Sequence, residues 1–265
     1  MSFLQLEGKR IVIFGIANRR SVAFHTAKVL KEAGAEVICS VLTDEHRQTV
    51  EKYFSGTDSY ICDLSKEEQI AALAARIREK YGEIYGIVHS VAFANFAEGL
   101  KPFHETKKED FLQAFDISCY SLISIAKHFN EFMVNNSAMV TISISTTRMA
   151  AENYGYMAPI KAALDSSVCF LAKSLSGEKN IRVNAVGASL LKTSSSAGIP
   201  GYIEPYLYAE KATLRKKALQ TEEVANIAAF LLSPRASGIN AQTVVADAGM
   251  SVNYFDKEIV HACVK

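Results

Sequence analysis

Tyr154 and Lys161 stand seven positions apart in Tyr154-Gly155-Tyr156-Met157-Ala158-Pro159-Ile160-Lys161, after an apolar run and at the mouth of a long helical pattern. A free phenol titrates near ~10, too high for easy proton transfer at neutral pH. A neighbouring ammonium favours the phenolate and lowers that value; the same ammonium can hold a sugar hydroxyl. Seven positions is about two helical turns, so both side chains can share a face. Proline is tolerated only in a helix's first turn, so Pro159 sets the helix start near Met157 and leaves Tyr154 on the approach to it. Such a pair does useful chemistry only beside a reactive cofactor. Otherwise these are two unrelated residues of a helix entry.

Short β-branched runs alternate with helical patterns along the whole chain. The predicted strands are Arg10–Phe14, Glu36–Val41, Ser59–Cys62, Gly86–Ser90, Ala138–Ser143, Ile181–Val186 and Thr243–Ala246. Most are continuous apolar segments, as a parallel sheet covered on both faces requires. The predicted helices are Ser21–Ala33, Asp44–Phe54, Lys66–Tyr81, Lys107–Val134, Met157–Leu175 and Thr221–Leu232. This alternation, with no linker or repeat, predicts one α/β domain over residues 1–265 with a doubly wound sheet of about seven strands. The serine- and glycine-rich stretch from Leu191 to Gly201 follows the sixth strand, at the sheet edge where α/β proteins bind ligands. It predicts a mobile substrate loop over about 191–212, a plain surface connection being the alternative.

A cofactor seat is predicted after the first strand, in Gly15-Ile16-Ala17-Asn18-Arg19-Arg20-Ser21-Val22-Ala23. Gly15 permits a tight turn and close backbone approach, and the next helix offers free N–H groups to a pyrophosphate. The stretch is not GxGxxG, and an ordinary turn capped by Ser21 also fits it. Cys62-Asp63-Leu64 ends the third strand, where Asp63 can accept from an adenine amino group or act as a helix cap. Ser90-Val91-Ala92-Phe93-Ala94 ends the fourth, offering close passage beside a ribose.

The formal net charge of +1 gives no electrostatic case for nucleic acid or a membrane surface. The apolar runs are far shorter than the ~20 residues of a membrane span, and the first residues lack the apolar core of a signal peptide. Five cysteines without metal-ligand spacing predict reduced thiols in a cytoplasmic protein and no metal site.

Taken in order, Gly15-x5-Ser21-x-Ala23, Cys62-Asp63, His89-Ser90-Val91-Ala92-Phe93-Ala94, Asp116-Ile117-Ser118-x-Tyr120-Ser121, Tyr154-x6-Lys161, Arg182-Val183-Asn184-Ala185 and the run from Glu223 to Leu231 resemble the enoyl-acyl carrier protein reductases of the short-chain dehydrogenase/reductase superfamily, over roughly residues 6 to 250. The resemblance implies a Rossmann-like homotetramer that reduces a trans-2-enoyl thioester on acyl carrier protein with NADH, NADPH being possible. It makes Tyr154 the donor to the developing enolate oxygen and Lys161 the ligand of the nicotinamide ribose. It assigns cofactor contacts to Gly15, Ser21, Val22, Asp63, Leu64, Ser90, Val91, Ala92, Lys161, Leu191 and Thr193. Substrate contacts fall to Ala94, Ile144 and Met157.

The chain also departs from that pattern. Ten positions before Tyr154, where the family has a second tyrosine and related reductases a serine, stands Ile144. Ser143 and Ser145 flank it, but strand neighbours point to opposite faces. Ala188–Thr193 replaces the usual Ala-Gly-Pro-Ile-Arg-Thr, His25 a usual glycine, and Ala248 interrupts Asp-Gly-Gly. These changes suggest a diverged paralogue serving fatty-acid or secondary-metabolite synthesis. A carbonyl reductase and a catalytically silent cofactor-binding subunit are the alternatives. At the second strand's end Asp44 is placed either to bind a ribose hydroxyl, favouring NADH, or to cap a helix. The tail Asn253–Lys265 is expected to pack on a partner subunit or to fray.

Overall fold

In the computed structural model, residues 3–151 and 154–264 are described; Met1, Ser2, Glu152, Asn153 and Lys265 lie outside the described residues. Seven parallel strands form one sheet: β1 (Arg10–Phe14), β2 (Glu36–Val41), β3 (Ser59–Ile61), β4 (Ile84–His89), β5 (Met133–Ile144), β6 (Arg182–Ala188) and β7 (Thr243–Ala246), in the order β3-β2-β1-β4-β5-β6-β7. The alternation of side chains divides β1 between two cores. Ile11 and Ile13 pack toward α1 (Val22–Glu32) and α9 (Thr221–Leu232). Val12 and Phe14 pack toward α3 (Glu67–Tyr81), α5 (Ser121–Phe129) and α6 (Met157–Lys179). Both faces are therefore covered, which is why the strands read as unbroken apolar runs.

The sheet order reverses beside β1: the chain runs outward through β2 and β3, then crosses back to β4. At that switch the connections that leave the carboxyl ends of β1 and β4 part from each other and leave a crevice. The backbones meet closely where it opens. Gly15 has φ +102°, and a Cβ there would sit 2.1 Å from the Ser90 carbonyl oxygen. No side chain fits that gap.

Several boundaries differ from the sequence expectation. The helix expected over Lys107–Val134 is α4 (Lys108–Phe115), a π turn (Asp116–Tyr120), α5 and a short 3₁₀ turn, and Val134 belongs to β5. Strand β5 begins five residues before Ala138 because Met133 pairs with Ile84, after which the register shifts. Asn136, with φ +60°, supplies the irregularity. The segment expected as a loop over 191–212 holds two helices, α7 (Ser194–Ala197) and α8 (Ile203–Ala212). Pro205 falls in the first turn of α8, where proline costs no hydrogen bond. The tail contains α10 (Lys257–Cys263), preceded by the exposed rings of Tyr254 and Phe255. Remaining elements are α2 (Asp44–Tyr53) and short 3₁₀ turns. Among the described residues no helix is long and apolar enough to cross a membrane.

Ala248 sits at φ +52°, a left-handed conformation that L side chains resist. Its carbonyl accepts from Leu214 N at 3.0 Å, and Asp247 caps the turn through Gly249 N and Ser251 N, both at 2.9 Å. Ala248→Gly is expected to raise stability by about 1 kcal/mol, read as a higher midpoint in chemical denaturation.

Candidate active site

Helix α1 starts where Ser21 Oγ accepts from Phe24 N at 3.3 Å and donates to Asn18 O at 2.8 Å. The cap is thus real, and it also leaves the helix's first N–H groups facing the crevice beside Gly15. Along the β-strand carboxyl ends lie two contiguous cavities of about 250 and 230 Å³, sharing Gly15, Ala17, Ser90, Val91, Ala92 and Phe93. In the first are Ser21, Val22, Ala94, Ile144, Tyr154, Met157, Lys161, Leu191 and Thr193; in the second, Asp63 and Leu64. The residues that the family resemblance assigns to cofactor, substrate and catalysis therefore border one cleft, whereas Asp44 does not.

Three elements fix the reactive end. Pro159 is the third residue of α6, so the helix begins at Met157 and Tyr154 lies on the turn before it. Tyr154 is half-buried and packs on the same core as Met157 and Ile160. Lys161 is 4% exposed, and its Nζ donates to Ile142 O at 2.8 Å. The loop after β4 is held by two hydroxyls that the sequence did not single out. Ser118 Oγ, on the π turn, accepts from Phe93 N at 2.9 Å and donates to Phe93 O at 3.1 Å. Tyr156 Oη does the same for Asn95 N and O, at 3.0 Å each. The only signal for Tyr156 was a second phenol two residues after Tyr154. Behind the cleft, His89 links Thr141 Oγ1 and Ser121 Oγ at 2.8 Å each, and burial pushes its pKa down to about 3, so it is neutral.

Burial also governs the ionisation of the central pair. It lowers Lys161 to about 8, while it pushes the Tyr154 phenol above its ordinary value, with Tyr202 adding to the rise. The expectation that Lys161 draws Tyr154 down is therefore corrected. The ammonium is turned to the Ile142 carbonyl, and desolvation of the phenolate dominates. Tyr154 stays a protonated donor.

The departures are now placed. Ile144 ends β5 against Ala188 of β6 and borders the cavity with Ser143. The hydroxyls of Ser143 and Ser145 are buried with no hydrogen-bonding partner among the described residues. His25 Nδ1 lies 3.2 Å from Glu222 Oε1 on α9, away from the cleft lining. Asp44 is the first residue of α2 and pairs with Arg47, while Thr43 caps the helix. Neither Asp44 nor Arg47 borders the second cavity; Ser40, Leu42 and His46 do. Asp63 Oδ1 accepts from Ser65 N at 3.0 Å, so it caps a turn, whereas the N-cap of α3 is Lys66. Cys39, Cys62 and Cys119 are buried, Cys169 and Cys263 exposed; burial raises Cys39 to about 12 and Cys62 to about 11, leaving both unreactive thiols.

A parallel sheet with a cleft at the β1/β4 switch is the Rossmann-type architecture of dinucleotide-binding oxidoreductases. Residues 15–251 match the model of a family described as Enoyl-(Acyl carrier protein) reductase, and the chain belongs to that family. It is 35% identical over 253 residues to the enoyl-acyl-carrier-protein reductase (NADH) FabI of Bacillus subtilis, covering 93% of this chain and 97% of that protein. It is 36% identical over 251 residues to the NADPH enzyme FabI of Staphylococcus aureus, covering 93% and 98%. The crystal structure of the NADH enoyl-acyl-carrier-protein reductase of Aquifex aeolicus superposes with a TM-score of 0.90 at 32% identity, over 95% of this chain and 99% of that one.

Burial moves Lys161 toward the neutral amine. Its folded pKa, about 8, lies below the unfolded 10.5, so the unfolded chain holds the proton more tightly between those values. Burial of the charge costs stability below about pH 8, and the cost is relieved as pH rises toward 10.5. In paired unfolding curves from pH 7 to 10.5, wild type should gain on the order of 3 kcal/mol relative to Lys161→Met. Parallel curves would contradict a buried ammonium.

Proposed function

We propose that this chain reduces the trans-2 double bond of an enoyl thioester carried on acyl carrier protein, in fatty-acid or related biosynthesis. The observation that carries the reading is the shared cavity: Tyr154, Lys161 and Met157 from the head of α6 face Ile144 and Ala94 across a space continuous with the β1/β4 crevice. The tight turn at Gly15, the free N–H groups of α1 and the second cavity beyond them fit an extended dinucleotide. When bound, its dihydronicotinamide supplies a hydride to the β carbon of the enoyl group.

The residues of the chain do the rest. Addition at the β carbon moves the π electrons onto the thioester oxygen, and a protonated Tyr154 donates a hydrogen bond to that developing enolate; as the enolate collapses, its α carbon takes up one proton, ultimately from solvent, which completes the saturated thioester. Stabilising charge as it forms is usually the largest catalytic contribution. Keeping the phenol neutral by burial suits a donor better than a phenolate would. Lys161, held by the Ile142 carbonyl, offers its remaining N–H groups to ribose hydroxyls. Gly15, Ser21 and Val22 would hold the pyrophosphate; Asp63 and Leu64 the adenine; Ser90, Val91 and Ala92 the ribose; Leu191 and Thr193 the nicotinamide. Ala94, Ile144 and Met157 would contact the acyl thioester.

NADH is the preferred cofactor in this reading, because Leu42, His46 and Asp63 border the adenosine end and neither lysine nor arginine is among its described lining residues. NADPH remains compatible with the family. Exposed Leu112, Tyr120 and Phe170 on α4, the π turn and α6 suit pairing with further copies in a homotetramer. Three buried thiols suit the reducing cytoplasm. The substrate loop reading narrows to the stretch from Leu191 to Tyr202, including α7, which borders the reactive end.

Oxidation of NADH with crotonyl and acetoacetyl thioesters separates the readings. Enoyl reduction is expected; reduction of acetoacetyl alone would indicate a carbonyl reductase, and neither, with NADH still raising the melting temperature, a silent subunit. Tyr154→Phe is expected to lower kcat about 100-fold or more. Full activity in that variant would refute the role given to Tyr154.

A further inference from the structure

A single phenol leaves the developing enolate oxygen with one donor, where preorganised sites typically present at least two. Ile144 can donate nothing. Ser143 borders the same cavity, but its hydroxyl is wholly buried. One further phenol lines this cavity: Tyr202, on the turn that enters α8. Its hydroxyl accepts from Leu191 N and donates to Leu191 O, both at 3.0 Å. These bonds fix the oxygen beside Leu191, which lines the same cavity. Tyr202 is also near enough to Tyr154 to raise that phenol's pKa.

Resting on the enoyl-reduction reading, we propose that Tyr202 supplies the second hydrogen bond to the thioester oxygen, entering from the segment that precedes α8 in place of the donor that Ile144 cannot provide. The hydroxyl keeps the bond from Leu191 N, which holds its oxygen in position, and turns its proton from the Leu191 carbonyl to the substrate oxygen. That requires only rotation about the phenolic C–O bond. Tyr154 and Tyr202 then grip the enolate from two segments, the turn before α6 and the entry to α8.

The test uses full-length enzyme, crotonyl-coenzyme A and NADH, with each variant's melting temperature recorded with and without NADH. Tyr202→Phe should lower kcat at least about 10-fold, with the KM for NADH and the melting temperatures close to wild type. Adding Ile144→Tyr to Tyr202→Phe should restore most of the lost kcat, a rescue that a merely structural role would not show. Unchanged kcat in Tyr202→Phe overturns the assignment, as does a loss confined to NADH affinity, which would make Tyr202 a clamp on Leu191. A kcat loss in Ser143→Ala with none in Tyr202→Phe would transfer the role to Ser143. If wild type itself fails to reduce crotonyl-coenzyme A, the enoyl-reduction reading falls and this one with it; an active wild type with an indifferent Tyr202→Phe removes Tyr202 alone.

Discussion

The close passage of Gly15 beneath the Ser90 carbonyl is the constraint on which the cleft depends. A Cβ would lie 2.1 Å from that oxygen, far inside van der Waals contact, and φ +102° is itself a conformation that favours glycine. The approach lets β1 and β4 stay paired to their last residues, with Ser90 N donating to Phe14 O at 3.1 Å. From that point one chain turns into α1 and the other into the Val91–Asn95 segment. Both cavities share these residues, so widening the gap would separate the two halves of the site.

The second theme is burial acting on ionisation. Lys161, His89 and Tyr154 are all displaced toward their neutral forms, each chiefly by desolvation. His89 bridges Thr141 and Ser121 as a neutral strut joining β4, β5 and α5. Lys161 keeps its position through the Ile142 carbonyl. A dry wall of this kind strengthens every hydrogen bond made to a charge that forms within it, and it sets the substrate oxygen, rather than any resident side chain, as the place where negative charge develops.

Much of this was legible in the chain itself. Three strands, β1, β2 and β7, have the boundaries that their apolar runs predict, and Pro159 fixed the start of α6. Gly15, Asp63 and Ser90 border the cleft because strand ends of a parallel sheet converge, and Lys161 was marked by its spacing from Tyr154. What stayed hidden has physical reasons. Asn135-Asn136-Ser137 interrupts the hydrophobic pattern of β5, so the pairing of Met133 with Ile84 left no local trace. The glycines, serines and proline before α8 read as a loop, although Pro205 is harmless in a first turn. Ser118, Tyr156 and Tyr202 act through backbone groups of distant residues, and such bonds carry no spacing signal. The sign of the Tyr154 shift was misjudged for the same reason: proximity in sequence to Lys161 says nothing of where the ammonium points.

The most direct test of the central claim is calorimetric titration of NADH into Gly15→Ala, beside a melting curve of the free protein. If the Gly15–Ser90 approach builds the cleft, the variant should melt clearly below wild type and, at temperatures where it is still folded, bind NADH at least about 100-fold more weakly, which is ~2.7 kcal/mol. Wild-type affinity in a folded Gly15→Ala protein would contradict the account.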